Sequence, residues 1–424
     1  MMAQYHEIKR DHPDALLFYR MGDFYEMFFD DAAVASAALD IALTRRGLHE
    51  GEDIPMCGVP VHAADGYLQT LTRKGFRVAI CEQLEDPAEA RKRGAKSVVK
   101  RGVVRLVTPG TLTEDSLLDA RRHNYLAAWS VIRGEGALAW ADISTGEIAV
   151  APCPMVALGP LLARLAPREL LCVQGSEAAL RGLAGETGPA LCALGGASFD
   201  STAGAGRLCA LYKVATPEAF GSFTRPEISA LGALIDYLDI TQKGNLPLLR
   251  PPVRETAQGA MLIDAATRRN LEIAQALSGG REGSLIAAID RTVTAAGARL
   301  LDRRLAAPSR DLAEIRDRHD AVEALVENAA LRDDLRAALR RVPDMDRAMG
   351  RLALDRGGPR DLAALRDGLA QAAQIARQLQ GSDLPRRLAE AAHDLQGHET
   401  LQGLLDRALV AEPPLLSRDG GFVA

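Results

Sequence analysis

Apolar positions follow two different periods along the chain, and the change of period marks its organisation. Over the first hundred residues, short apolar runs are interleaved with helical spacing. Leu16-Leu17-Phe18-Tyr19 predicts a strand over residues 16–21, turned by Gly22-Asp23. A helix is expected around residues 30–43, a Pro- and Gly-marked loop over 54–62, a helix over 67–74 and a short strand over 77–82. Further on, residues 124–132, the turn Gly134-Glu135-Gly136, and residues 137–143 and 146–150 predict three successive strands. The Gly- and Ala-rich residues 175–206 read as irregular loops, and 246–252 as a Pro-rich junction. From residue 241 onward the period is helical. Helices are expected over 261–277, 286–305, 361–379 and 384–409, with an amphipathic run from Leu312 to Leu339 opened by a capping box at Asp311-Leu312-Ala313-Glu314.

Composition narrows the class. At 424 residues the length suits two to four domains, and 47% hydrophobic with 25% charged residues is ordinary for a soluble globular chain. The net charge of −5 means that any nucleic-acid-binding charge must be local. Such a place exists: residues 73–105 hold ten Lys or Arg against four acids. Within it, Arg73, Lys74, Lys96, Lys100 and Arg101 are candidate phosphate contacts, and a solvated helical surface is the plainer alternative for any one of them. The six cysteines are widely spaced with no Cys-x-x-Cys, which disfavours a zinc site and fits buried thiols in a reducing compartment. No signal-like or membrane-spanning apolar run occurs, so a cytoplasmic location is expected.

Aromatic residues are scarce and unevenly placed. Seven of the 18 Phe, Tyr and Trp lie in the first 30 positions, around Gly22-Asp23-Phe24-Tyr25-Glu26-Met27-Phe28-Phe29. In an extended backbone Phe24 and Glu26 share one side, about 7 Å apart, with Tyr25 and Met27 on the other. A flat ring and a carboxylate are then presented together. The alternative is a core Phe24 beside a solvated Glu26.

Arg20-Met21-Gly22-Asp23-Phe24-Tyr25-Glu26-Met27-Phe28 resembles the signature of the MutS family of DNA mismatch-recognition proteins. Six further blocks match in the same order. They are Asp53-Ile54-Pro55-Met56-Cys57-Gly58-Val59-Pro60, Val78-Ala79-Ile80-Cys81-Glu82-Gln83, Val104-Arg105-Leu106-Val107-Thr108-Pro109-Gly110-Thr111, Asp142-Ile143-Ser144-Thr145-Gly146-Glu147, Asp264-Ala265-Ala266-Thr267-Arg268-Arg269-Asn270-Leu271-Glu272-Ile273 and Asp419-Gly420-Gly421. The resemblance implies a multidomain chain. Its parts would be an α/β mismatch-recognition domain over 1–103, a ribonuclease-H-like α/β connector over 104–240, and part of an all-α core and lever over 241–424.

The resemblance also implies roles. Phe24 would wedge against a mispaired base in double-stranded DNA and Glu26 would hydrogen-bond to it; where the family carries an aromatic after Pro60, this chain has Val61. An ionised Glu26 accepts from a base N–H, and a protonated one donates to a ring nitrogen. A MutL partner would dock on the connector. ATP and Mg belong to the family's ATPase domain, and no Gly-x-x-x-x-Gly-Lys-[Ser/Thr] occurs here. The chain is therefore expected to be an N-terminal portion without clamp or ATPase domain, monomeric where the full-length family dimerises, and without ATP hydrolysis, cofactor or metal of its own. Two other readings compete. One is an interaction scaffold with little DNA affinity. The other is a ribonuclease-H-like nuclease using Asp142 and Glu147 to hold Mg²⁺, though such chemistry calls for three or four clustered carboxylates.

Overall fold

The computed structural model describes residues 2–49, 51–94, 97–184, 188–256, 259–380 and 383–424. The first part runs α1 (Met2–Asp11), β1 (Leu16–Met21), β2 (Phe24–Phe28), α2 (Phe29–Leu39), β3 (Thr44–His49), β4 (Glu52–Pro60), α3 (Ala64–Arg73), β5 (Val78–Gln83), α4 (Pro87–Lys92) and β6 (Arg101–Val107). Its six strands form one sheet in the order β3-β4-β2-β1-β5-β6, with β1 and β5 parallel and the other pairs antiparallel.

Strand alternation divides the apolar residues between two faces. Phe18, Tyr25, Met27, Cys57 and Val59 pack with Ala32 and Ala35 of α2 and Leu68 and Leu71 of α3. On the other face, Leu17, Tyr19 and Phe28 pack with Tyr5 of α1. The Tyr5 ring meets those of Tyr19 and Phe28 at 5.6 and 5.2 Å, edge to face. Most of the early aromatics are therefore core.

Two expectations are corrected here. Residues 54–62 are mainly strand. Ile54 and Met56 face one side and Cys57 and Val59 the other, while Pro55 sits opposite Arg45, where the register with β3 shifts. The prolines masked a period-2 pattern that was present. The boundary at 103 also cuts β6, whose residues to Val107 pair with β5.

The second part contains β7 (Leu126–Ile132), β8 (Glu135–Asp142), β9 (Glu147–Pro152), α5 (Met155–Leu165), β10 (Glu169–Val173), α6 (Glu177–Ala184), β11 (Ala190–Leu194), α7 (Ser201–Tyr212), α8 (Arg225–Gln242) and β12 (Val253–Arg254). The sheet order is β11-β10-β7-β8-β9-β12. Three successive antiparallel strands are flanked by parallel partners, as the resemblance implies. β12 lies past the expected boundary at 240.

The loops expected over 175–206 are largely replaced by α6, β11 and the start of α7, with residues 185–187 outside the described residues. The small residues there serve close packing. Gly204 of α7 lies against Gly232 of α8, and a Cβ on Gly204 would meet the Ile228 carbonyl at 2.8 Å.

The remainder is helical: α9 (Ala265–Asn270), α10 (Leu285–Ile289), α11 (Ala295–Ala306), α12 (Leu312–Glu327), α13 (Ala329–Leu339), α14 (Met345–Ala353), α15 (Pro359–Leu379), α16 (Arg386–Asp394) and α17 (Glu399–Ala408). The long helices expected from periodicity are broken where polar groups compete for the backbone. The helix expected over 261–277 shrinks to α9 and stops before Glu272, whose φ is +48°. That over 286–305 splits at Asp290, whose carboxylate accepts from the Thr292 N–H and hydroxyl at 3.0 and 2.6 Å. Asp311 does cap α12, but Glu314 turns to Ser309 instead of closing a box.

The three parts meet through buried polar groups. Arg77 at the foot of the first sheet donates to the Tyr237 hydroxyl at 2.9 Å. Glu169 accepts from Tyr237 and Thr108 at 2.5 Å each. Arg347 of α14 donates to the carbonyls of Asp119 and Arg122 at 2.9 Å.

Candidate nucleic-acid interface

The site is built on the hairpin of β1 and β2. Met21 pairs with Phe24, so Gly22-Asp23 is a two-residue turn. Gly22 has φ +61°, which only glycine adopts cheaply at the first position of such a turn. Arg20 Nε donates to the Gly22 carbonyl at 2.5 Å, and Val61 N–H donates to the Asp23 carbonyl at 2.9 Å. Behind the turn, the Tyr25 hydroxyl donates to Glu82, and Arg20 lies 3.6 Å from the same carboxylate. Burial, then the hydrogen bond to Glu82, pushes the Tyr25 hydroxyl above its ordinary range, so it stays a donor. These contacts fix the tip.

With Tyr25 and Met27 anchored in the core, alternation sends Phe24 and Glu26 to the opposite face. α1 covers that face only lower down. Phe24 is 48% exposed, flanked by its pairing partners Met21 and Pro60. Glu26 lies opposite Gly58, whose missing side chain leaves room beside it; a Cβ there would stand 3.7 Å from Glu26 Cγ.

Glu26 is not free. Arg46 Nη1 lies 2.5 Å from both of its carboxylate oxygens. Sequence reasoning passed over Arg46. The available signal was the Arg45-Arg46-Gly47 run, where Gly47, at φ +75°, marks the register shift of β3.

The candidate phosphate contacts do not form one patch. Lys100 and Arg101 lie at the same end of the sheet as Phe24, because Arg101 pairs with Gln83 at the top of β5. Lys100 is exposed. Arg101 donates to the carbonyls of Arg20 and Val99 and stacks 5.0 Å from the Tyr19 ring centroid. Arg73 and Lys74 end α3 near the foot of β5, the opposite end of the sheet, and Lys74 Nζ donates to the Ala38 carbonyl at 2.6 Å. Lys96 lies outside the described residues. Other members of the basic stretch are paired internally, Arg93 with Glu85 and Arg105 with Glu114. The Arg93 hydrogen bond, then the Lys100 N–H, holds the Glu85 carboxyl down at about 2.

The second candidate site resolves differently. Asp142 is fully buried at the end of β8. Its oxygens contact His123 Nδ1 at 2.9 Å, the Asn124 N–H at 3.2 Å, the Ser144 N–H at 3.0 Å and the Ser144 hydroxyl at 2.6 Å. Glu147 turns to Arg303 at 2.8 Å. Four partners saturate Asp142, and among the described residues no cluster of three or more His, Cys, Asp or Glu could hold a metal ion. The nuclease reading fails on this geometry. All six cysteines are free thiols, five of them buried. No helix among the described residues is long and apolar enough to cross a membrane.

Residues 1–116 match the family described as MutS domain I, residues 124–250 MutS domain II, and residues 266–424 MutS domain III. The chain belongs to the MutS family. Proteins called DNA mismatch repair protein MutS are similar over its whole length: 69% identical in Cereibacter sphaeroides, 68% in Paracoccus denitrificans and 66% in Dinoroseobacter shibae. In each case the alignment takes in 100% of this chain and 48% of the relative. The chain thus spans about half the length of the curated relatives it matches. The hairpin tip belongs to MutS domain I, the buried Asp142 to domain II, and the helices from α9 onward to domain III, apart from the first residue of α9.

Proposed function

We propose that this chain recognises mismatched or looped double-stranded DNA, in the service of mismatch repair, by pressing Phe24 into the base stack and offering Glu26 to the displaced base. The observation that carries this reading is the exposure of Phe24. Among the described residues it is the one aromatic ring standing about half in solvent, and it does so at the tip of a braced hairpin. A ring held there without cover costs solvation and gains nothing for the fold.

The energetics favour mispaired sites. Unstacking a base step costs a few kcal/mol in paired DNA. Stacking on an aromatic ring returns roughly 1–3 kcal/mol whatever the base. A mismatch has already lost part of its pairing and bends more readily, so insertion is cheapest there, and deformability is what is read. Lys100, on the same end of the sheet, would hold a phosphate alongside. We assign ATP-dependent switching to longer chains of the family, since the 424 residues contain no Gly-x-x-x-x-Gly-Lys-[Ser/Thr], and any MutL docking to the connector.

The test is fluorescence anisotropy on a short duplex with a G·T mismatch or a one-base loop, against the matched duplex, at fixed salt. Tighter binding to the heteroduplex that Phe24→Ala removes supports the wedge. Equal binding to both duplexes, indifferent to Phe24→Ala, overturns it and leaves a scaffold role for this chain.

A further inference from the structure

We propose that Arg46 is the positioning residue of the site: without DNA it holds the Glu26 carboxylate to itself, and on a docked duplex it moves to a backbone phosphate and releases Glu26 to the base. This rests on the mismatch-binding reading above for what Glu26 then meets. The Arg46–Glu26 pairing stands on the geometry alone.

Three features point to a pair built to exchange. One guanidinium nitrogen reaches both Glu26 oxygens at 2.5 Å, so both acceptors are engaged from one side. The two partners are unequally exposed: the Glu26 side chain is 12% accessible and that of Arg46 47%. The carboxylate is set into the sheet and the cation can leave. Arg46 also lies in β3, an edge strand exposed along its whole length, at the register shift beside Gly47. Such a segment moves at little cost around Arg46, since every residue of the strand is exposed and its ring contacts, His49 with Phe29 and His6, lie at its far end.

Charge gives the pair its purpose. A bare carboxylate on a DNA-facing surface is repelled by phosphates, and a nearby Arg cancels that repulsion. An Arg guanidinium binds phosphate as well as carboxylate. When a phosphate comes within reach, Arg46 trades one anion for another, and freeing Glu26 costs little. With no phosphate present, the same release would strand a carboxylate. Glu26 thereby becomes a base contact that is available only after docking. No other cation pairs with Glu26 among the described residues, so the control rests on Arg46 alone.

The pairing is tested on the whole chain by a double-mutant cycle read on matched duplex, with wild type, Glu26→Gln, Arg46→Ala and the double variant titrated over a range of salt. Glu26→Gln should remove the cost of parting the pair, raising matched-duplex affinity by about threefold to fivefold at low salt and leaving the salt dependence unchanged, because Arg46 reaches a phosphate in both proteins. In the Arg46→Ala background the same substitution should change affinity by less than about twofold, because only diffuse repulsion is lifted. Equal effects in both backgrounds overturn the proposal.

A second readout needs no DNA. In nitrogen-15 spectra of the free chain, rotation of the Arg46 guanidinium should be hindered and become free on Glu26→Gln. Free rotation in the wild type overturns the proposal whatever the binding data show. Loss of the mismatch reading would appear separately, as equal binding to matched and mismatched duplexes that Phe24→Ala leaves untouched, with the Arg46–Glu26 coupling intact.

Discussion

Glu26 on β2 and Asp142 at the end of β8 are both strand carboxylates inside family-like motifs, and both were candidates for chemistry. Their surroundings separate them. Asp142 is buried and has two backbone N–H groups, a hydroxyl and an imidazole on its two oxygens. Glu26 is largely covered, beside a glycine, and is held by one half-exposed Arg. What decides a carboxylate's role is which donors reach it and whether they can leave. Backbone donors cannot, so Asp142 organises the junction of β7, β8 and the loop at Ser144. A long side chain on an edge strand can, so Glu26 stays available.

The largest effect that tests this contrast falls on stability. Asp142→Ala would leave several buried donors unpaired, and a loss of about 3 kcal/mol is expected. Urea titration followed by fluorescence of Trp129 and Trp140, both in the same sheet, reads it directly. A midpoint unchanged by Asp142→Ala would mean that the carboxylate is not structural, and the contrast would collapse. Next comes Phe24→Ala. It should cost roughly 1–3 kcal/mol of heteroduplex binding and leave the urea midpoint in place, because the ring supports nothing beneath it. A variant that lost stability together with binding would make Phe24 a core residue after all.

The hairpin tip was legible in the sequence because three local rules agree there. Gly22-Asp23 demands a turn, the apolar run before it demands a strand, and alternation from Tyr25 dictates where Phe24 and Glu26 point. Arg46 was not legible. It contacts Glu26 across 20 positions of chain, through a register shift that no periodicity announces. The strand over β4 was hidden by Pro55 and Pro60, which read as loop residues until β2 is seen pairing alongside. In the helical part, spacing located most of the helices but overran their ends. Asp290 and the left-handed Glu272 end helices through local hydrogen bonding and backbone geometry that hydrophobic period does not register. The basic stretch misled for a different reason. Ten cations close in sequence are distributed by the sheet to both of its ends, and Arg77, Arg93, Arg101 and Arg105 are used internally.

Acid should sharpen the same comparison, with a smaller effect. Burial alone would raise the Asp142 carboxyl, but His123 and Ser144, with the nearby charge of Arg347, outweigh it and hold it below its usual range. Asp344, partly buried and paired with Arg299, is held down likewise. Both groups therefore bind a proton less readily folded than unfolded. Their stabilisation is present above the unfolded carboxylate range and is lost as pH falls below about 4. The urea midpoint should drop between pH 5 and pH 3, and Asp142→Asn should flatten part of that drop. The same fall in wild type and in Asp142→Asn would show that Asp142 takes no part in it.

The smallest expected effect separates the two ends of the first sheet. Lys100 shares an end with Phe24, and Arg73 and Lys74 lie at the other, about 16 Å away along the strands at strand rise. A duplex seated on Phe24 would bring its backbone over Lys100 first. Lys100→Ala should then weaken matched and mismatched duplexes alike, by a few-fold, and lower the salt dependence by about one ion. Arg73→Ala combined with Lys74→Ala should leave the salt dependence unchanged, because Arg73 lies near Arg168 at the foot of the sheet and Lys74 is turned to the Ala38 carbonyl. The reverse result would place the duplex across the foot of the sheet. Phe24 would then be out of reach of the bases, and the exposed ring at the tip would need another partner.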